Sequence, residues 1–407
     1  MADVSVLEVN LHGESIGTLT RLPGDKSIFA FNDSYVADPE RPVLGLGFKD
    51  SNGDLITDFD AHQTRVMPYF SNLLPEDRLR TYLAERAGVN PQREFFLLWV
   101  LGADLAGAVS VTPADGEAWP PSAGAELDKA ALEARKAKVL RFSLAGVQLK
   151  FSAVTDAAGG LSIPAHGIGG SWIVKLPSQT FQGVPENEFA MMSLARRLGM
   201  DVPATKIIDV ADIGNLPAEI ARLKGKALAV ERFDRQSDGS KVHIEDFAQV
   251  FGIYPERKYQ KASIMNIATV IAAEGDENDV REFVRRLVFN TLIGNADMHV
   301  KNWSLIYPDR RNAHLVPAYD LVSTIAYIPD EEAALKVNRS KRFDQFTEHE
   351  LAGLASRATL PKALVLDQAR ETIARFHDSW SEAKKNLPVT PEVASAIDTH
   401  LKKIPIA

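Results

Sequence analysis

The run Gly294-Asn295-Ala296-Asp297-Met298-His299-Val300-Lys301-Asn302, with Ala318-Tyr319-Asp320 a short distance beyond it, constrains this chain more than any other feature. Upstream, Phe283, Val284, Leu287, Val288, Phe289, Leu292 and Ile293 recur at helical spacing, and Gly294-Asn295 is a C-terminal stop for that helix. Downstream, Trp303 to Tyr307 and Ala313 to Tyr319 read as two strands joined by the turn residues Pro308, Asp309 and Asn312. A hairpin returns the chain to its starting end, and paired strands lie about 5 Å apart, so Asn302 and Asp320 can converge on one ion. An Asp with an Asn five residues on is the spacing of a phosphoryl-transfer loop, in which Asp297 orients the attacking hydroxyl while Asn302 and Asp320 hold magnesium. Asp and Asn are also the ordinary residues of turns and caps, and on this motif alone that reading stays open.

Other segments extend the pattern in chain order. The stretch Arg141 to Lys150 carries Gly146 and runs into a strand over Phe151 to Val154, and a turn from Ala157 to Gly170 leads to a strand over Ser171 to Pro177. Lys175 near its end is placed to neutralise nucleotide phosphates. Ala190, Met191, Leu194 and Leu198 mark a helix after Pro185-Glu186-Asn187-Glu188, where a glutamate either caps the helix or pairs with Lys175. The strand Ala227 to Val230 ends in Glu231-Arg232-Phe233-Asp234-Arg235, a hinge able to expose backbone groups to an adenine. Loop, lysine, glutamate, hinge, catalytic Asp, Asn and metal Asp follow the order of a bilobal kinase. His299 reads equally as a hydrogen-bonded loop imidazole or a phosphate contact, and Asp246 with Gln249 as a helix N-terminal motif.

Composition sets gentler bounds. At 407 residues the chain has room for two or three domains, and 45% hydrophobic content suits globular packing. The longest apolar run, Phe95 to Ala103, is ended by Asp104, well short of the roughly 20 residues a membrane span needs. Met1-Ala2-Asp3-Val4 lacks a basic region with an apolar core behind it, so no secretory signal is expected, and cytoplasmic residence fits. The absence of cysteine removes disulfides, thiolate zinc sites and cysteine nucleophiles. A net charge of −8 argues against a surface that is mostly a nucleic-acid footprint, leaving local basic runs such as Arg339-Ser340-Lys341-Arg342.

The first hundred residues differ in character. Val4 to Leu11, Ser15 to Leu22 and Ser27 to Ala30 are alternating runs separated by Gly13, Pro23 and Gly24, which predict an antiparallel β unit. Helices are expected over Asp60 to Leu74, Pro75 to Ala87 and Pro91 to Leu101. Val111 to Gly124, dense in Pro, Gly, Ala and Ser, predicts a linker before a charged helix over Glu126 to Lys138. The expected division is residues 1–110, a connecting segment 111–139, and a body 140–407 whose small lobe ends near 235 and whose large lobe begins near 236.

Asn72-Leu73-Leu74-Pro75-Glu76, Ser143 to Lys150, Ile173 to Pro177, Val230 to Arg235, Ile244 to Gln249, Ile293 to Asn302 and Pro317 to Leu321 together resemble the HipA-type serine/threonine kinase toxins of bacterial toxin–antitoxin systems. The resemblance implies an α+β protein: a small β-rich N-terminal module and a bilobal protein-kinase-like body with a largely helical C-terminal lobe. It implies ATP and Mg2+ as cofactors, with Asp297 as catalytic base. Nucleotide contacts would come from Ala145, Gly146, Val147, Gln148, Leu149, Lys150, Lys175, Glu231, Arg232, Phe233, His299, Val300, Lys301, Asn302, Tyr319 and Asp320. Asn302 and Asp320 would be the metal ligands, and Ser143 matches the serine that such kinases autophosphorylate. Implied partners are a protein substrate such as an aminoacyl-tRNA synthetase, a small helix-turn-helix antitoxin of HipB type, and operator DNA mainly through that antitoxin, with no membrane. The chain departs from ordinary protein kinases in having one loop glycine, Gly146, and in following Asp320 with Leu321-Val322 instead of Phe-Gly. Two other readings remain: a small-molecule kinase on the same fold, and a catalytically idle operon co-repressor acting with a DNA-binding partner.

Overall fold

The computed structural model describes residues 5–114, 150–155, 160–163, 169–178, 180–216, 220–329 and 331–407. The predicted helix 126–138, and the predicted contacts Ser143, Ala145, Gly146, Val147, Gln148 and Leu149, lie outside them.

Alternation of apolar and polar residues builds the first sheet. Strands β1 (Val6–Leu11), β2 (Glu14–Leu22), β3 (Lys26–Phe31), β4 (His62–Gln63) and β5 (Val109–Pro113) are antiparallel in the order β4-β3-β2-β1-β5. Leu7, Val9 and Leu11 point inward and are fully buried, as a period of two demands. The expected linker beginning at Val111 is overturned at its start, because Val109 and Val111 alternate with Ser110 and Thr112 and pair with β1, Val9 opposite Val111. The alternation outranks the small-residue composition.

The helix expected over residues 60–74 is likewise reduced to Pro68–Ser71. His62 and Gln63 join the sheet edge, Thr64 has φ 67°, and Met67 is extended, as a residue before proline prefers. Helices Asp77–Ala87 and Glu94–Leu101 complete this layer. Glu94 is buried but accepts hydrogen bonds from Ser71 Oγ (2.8 Å), the Val66 amide (3.1 Å) and Arg80 Nη1 (2.9 Å), so its charge is compensated.

A second antiparallel sheet, β7-β6-β8-β10-β9, joins β6 (Lys150–Thr155), β7 (Leu161–Ser162), β8 (Trp172–Lys175), β9 (Thr205–Asp209) and β10 (Lys226–Glu231). Both of its faces are covered. Phe151, Ala153, Val174, Ala227 and Ala229 pack into the apolar cluster of the N-terminal module. Leu228 and Val230, one residue out of phase, pack with Ala190, Met191 and Leu194 of the Val184–Arg197 helix. The two units therefore share a wall.

The third sheet consists of β11 (His243–Asp246), β12 (Ser304–Tyr307) and β13 (His314–Leu315). The expected strand over residues 313–319 pairs only over His314–Leu315, because Pro317 has no N–H to offer and the Ala318 amide donates elsewhere, to the Asp201 carbonyl at 2.7 Å. Asp246 ends β11 and also caps the short helix Phe247–Val250, its carboxylate accepting from the Gln249 amide while the Gln249 side chain accepts from the Asp246 amide, both at 2.9 Å. The remaining body is helical: Ile264–Glu274, Glu277–Leu292, Glu348–Arg357, Lys362–Asn386 and Pro391–Leu401. Helix Glu277–Leu292 stops where its sequence predicts, with Gly294 at φ 65°; a side chain there would also run into Ile325. No described helix is long and apolar enough to cross a membrane.

Polar groups bolt the first module onto the third sheet. The Leu44 carbonyl accepts from Tyr69 Oη and from His243 Nε2, each at 2.7 Å, and Glu245 accepts from the Leu46 amide at 2.8 Å and from Tyr307. Burial pulls His243 down from 6.5 to about 4, so it is neutral in the fold at pH 7. Its contribution is complete above pH 6.5 and is lost as pH falls toward 4, where the unfolded chain takes up a proton the folded one refuses. Glu245, raised by burial from 4.5 to about 7, titrates in the opposite sense. Comparison with His243→Gln isolates the histidine: the variant should melt below the wild type at pH 7.5, and the gap should narrow as pH drops from 6.5 to 4.5, measured by thermal unfolding at constant salt.

Candidate active site

A cleft of about 480 Å³ opens between the second and third sheets. In β6 and β8, Lys150 stands directly opposite Lys175, which puts two ammonium groups on one face of the sheet. Like charges so placed repel unless anions lie between them. Two carboxylates serve here. Lys175 Nζ lies 2.5 Å from Glu188 Oε1 and also pairs with Asp320. Burial opposes the Lys175 charge, but Asp320 and Glu188 outweigh it and hold the ammonium above its ordinary value. Burial likewise opposes the Asp320 charge, yet Lys175 and Lys150 bring its carboxyl down to about 2. Glu188 is raised, first by burial and then by the like charge of Asp320. The choice left open for a glutamate at the start of helix Val184–Arg197 thus resolves toward pairing, and the helix has no side-chain cap.

The Asp297 loop is held from several sides. The Asp297 amide donates to Asn295 Oδ1 at 3.1 Å, and Asn302 Nδ2 donates to the Asp297 carbonyl at 2.8 Å, leaving Oδ1 of Asn302 as its acceptor. Tyr319 Oη donates to the Lys301 carbonyl at 2.9 Å and shares a 2.6 Å hydrogen bond with Ser304. Asp320 has φ 53°, a left-handed conformation rare for a non-glycine residue. His299 is buried, its imidazole pushed down to about 4 chiefly by desolvation, and its Nδ1 has no hydrogen-bond partner among the described residues.

At the other end, β10 runs out through Glu231, Arg232 and Phe233. The amides of Glu231 and Arg232 donate to the carbonyls of Ala204 and Ser171, each at 2.8 Å. Phe233 lies with its ring 6.0 Å from that of Tyr319. The Arg232 guanidinium grips Asp234, another residue of the cleft wall, through two bonds of 2.9 and 2.8 Å. Of the predicted contacts among the described residues, the structure brings Lys150, Lys175, Glu231, Arg232, Phe233, Asp297, His299, Lys301, Asn302, Tyr319 and Asp320 to one cleft. Val300 does not face it, being fully buried in the core of the helical lobe. The Lys301 ammonium is committed to Asn72 (3.0 Å), Asp246 (3.2 Å) and Glu76 (3.4 Å).

Several cleft residues were not singled out for a role from sequence. Asn72 and Glu76 reach in from the N-terminal module, and Glu76 pairs with Lys258 at 2.9 Å. Tyr259 donates to Asp297 Oδ1 at 2.6 Å. Asn72 and Glu76 stood in a stretch marked by resemblance; Tyr259 carried no signal. The basic run Arg339–Arg342 is partly consumed locally, Lys341 by the Ala334 carbonyl at 2.7 Å and Arg342 by Asp344 at 2.6 Å.

Residues 7–112 match the HipA N-terminal domain and residues 142–380 the HipA-like C-terminal domain. The chain belongs to the HipA family. It is 55% identical to "Putative kinase Y4dM" of Sinorhizobium fredii over 98% of this chain and 97% of that protein. It is 27% identical to the serine/threonine-protein kinase toxin HipA of Shewanella oneidensis, over 99% and 95% of the two chains. Its fold is that of the Shewanella oneidensis HipA solved with HipB and operator DNA, with a TM-score of 0.72 at 23% identity, covering 98% of this chain and 95% of that one.

In this HipA-family chain the hinge depends on Asp234. Burial opposes its charge, but Arg232 and Arg235 lower the carboxyl to about 2, and it also accepts the Gly107 amide of the N-terminal module at 2.8 Å. Asp234→Asn takes the close carboxylate from buried Arg232 and leaves Arg235 to Asp104 alone, and should destabilise the fold by about 3–5 kcal/mol, measured by urea unfolding.

Proposed function

We propose that this protein is an ATP- and Mg2+-dependent serine/threonine protein kinase, the toxin of a toxin–antitoxin pair, organised as the division at residues 110, 139 and 235 suggests. The observation that carries this reading is the convergence of Lys175, Asp297, Asn302 and Asp320, from widely separated segments, on one cleft. The residues fit the cofactors. Oδ1 of Asn302 and the Asp320 carboxylate are the hard oxygen donors that magnesium takes. The facing ammonium groups of Lys150 and Lys175 suit a polyphosphate, and the unpartnered His299 Nδ1 offers a further polar atom. Magnesium, when bound, neutralises charge on the transferring phosphoryl group.

The chain's own groups do the rest. Lys175 would bind phosphate oxygens, and Glu188 would remain as its carboxylate partner where Asp320 serves as a metal ligand. Asp297 orients the acceptor hydroxyl and takes its proton, while neutral His299 contributes a hydrogen bond without competing for that proton. Glu231 and Phe233 present backbone groups to the adenine. The resemblance favours a translation factor, such as an aminoacyl-tRNA synthetase, as acceptor. The HipB and operator DNA in the Shewanella oneidensis complex support a HipB-type antitoxin for this chain as well. A net charge of −8 suits a protein that meets operator DNA mainly through such a partner in the cytoplasm.

Ser143 completes the reading as an autophosphorylation switch. A phosphoserine adds about −1.5 to −2 charge beside a loop meant to cradle phosphates, and like-charge repulsion would drive that loop from the cleft. With γ-labelled ATP in cell extract, Asp297→Ala should lose phosphoryl transfer by about 10²–10⁴-fold while ATP affinity stays near wild type. A labelled soluble metabolite with no labelled protein would turn the assignment to a small-molecule kinase. Mass spectrometry of the wild type after incubation with magnesium and ATP should find phosphate on Ser143, and its absence there removes the switch.

A further inference from the structure

A hydroxyl already occupies the acceptor side of Asp297. Tyr259 lies on the turn after the Pro255–Arg257 helical turn, and its phenol donates to Asp297 Oδ1 at 2.6 Å. That is the hydrogen bond a substrate hydroxyl must make with its base before transfer. The ring stands edge-on to His299, with centroids 5.1 Å apart at 73°, so it also covers the approach to the base.

The turn is anchored while the side chain is free to leave. Tyr254 Oη donates to the Val66 carbonyl at 3.1 Å, and Lys258 is held by buried Glu76 at 2.9 Å, which ties the flanking backbone to the N-terminal module. Tyr259 itself is 43% exposed, so rotation of its side chain into solvent uncovers little apolar surface.

Resting on the protein-kinase reading, we propose that Tyr259 is an acceptor-mimicking gate, its phenol holding the place of the substrate hydroxyl on Asp297 until a protein serine or threonine displaces it. In the interval it keeps water off the base. A water bound there instead would attack the γ-phosphorus of ATP, the bond from phosphorus to the ADP oxygen would break, and the water proton would pass to Asp297, consuming ATP without an acceptor. A phenolic gate selects for acceptors large enough to contact the surrounding surface and push the ring aside, which favours proteins over water and small alcohols.

The test is phosphate release by the full chain in magnesium and ATP with no acceptor present. Tyr259→Phe keeps the ring and removes the hydroxyl, and should raise release about tenfold with unchanged melting temperature and ATP affinity, since a charge-assisted bond no longer competes with water. Adding Asp297→Ala to that variant should abolish the rise, which a purely structural role for the ring would not predict. Release equal to or below wild type in Tyr259→Phe overturns the gate while leaving the kinase reading intact. Phosphate found on Tyr259 overturns it too, by making the phenol an acceptor. No release and no protein transfer from any variant that still binds ATP overturns the kinase reading and the gate with it.

Discussion

The ammonium of Lys175, gripped by Glu188 and Asp320, is the interaction on which the rest of the cleft depends. It joins a strand of the second sheet, the helix across that sheet, and the segment after the third sheet. Buried ion pairs are poor sources of net stability, because desolvation consumes most of the Coulombic gain. Four charged groups, Lys150, Lys175, Glu188 and Asp320, crowded into one cleft therefore make sense as chemistry held ready. The two carboxyls are unequal: Lys175 and Lys150 draw Asp320 down against its burial, while burial and the charge of Asp320 push Glu188 up. Lys175 thus has two carboxylate partners, and the loss of either leaves it paired with the other.

The N-terminal module is part of the cleft wall. The second sheet presents Ala227 and Ala229 to its core and Leu228 and Val230 to the other, so neither unit can shed the sheet without exposing apolar surface. Polar contacts repeat the dependence. Glu76 sits between Lys258 and Lys301, and Lys301 follows Val300 in the loop that carries Asp297. Removing Glu76 leaves two ammonium groups beside the Asp297 loop with less to neutralise them. The carboxyl itself, though burial opposes it, is drawn down by the same lysines.

What was legible in the sequence followed from local rules. The helix before Gly294, the hairpin after Asn302 and the strand ending at Lys175 are periodicities of 3.6 and 2 punctuated by turn residues, and the segments they mark meet at one cleft. The failures are equally physical. Residues 60–74 have apolar spacing, but Thr64 in a left-handed conformation and the restriction that Pro68 imposes on Met67 break the helix. Val111 to Pro113 looked like the start of a linker because the alternation it belongs to is short, and only pairing with β1 reveals it as the end of a strand. Arg232 lines the cleft as expected, but its pairing with Asp234, two residues on, carried no signal in the sequence. Asn72, Glu76 and Tyr259 reach the cleft through contacts across 38 to 229 residues of chain, a range over which no local pattern carries information.

The Leu321-Val322 pair that follows Asp320 in place of Phe-Gly has a structural counterpart. Leu321 is buried in the core of the helical lobe, and the chain beyond it is stitched back to the Asp297 loop. Thr324 Oγ1 accepts from the Ala296 amide at 2.8 Å. Asn187, next to Glu188, donates through Nδ2 to the Ser323 carbonyl at 3.0 Å and accepts from the Ser323 amide at 3.2 Å. In ordinary protein kinases the glutamate-bearing helix swings to make or break the lysine pair, and activity is controlled there. Here the same helix is fastened to the post-Asp320 segment by a two-bonded amide buried beside the pair itself. Breaking both bonds in a buried setting costs the desolvation of four polar groups, about 1–3 kcal/mol for each left unsatisfied. A swing of helix Val184–Arg197 would therefore cost this chain the Asn187–Ser323 bonds as well as the Lys175–Glu188 pair.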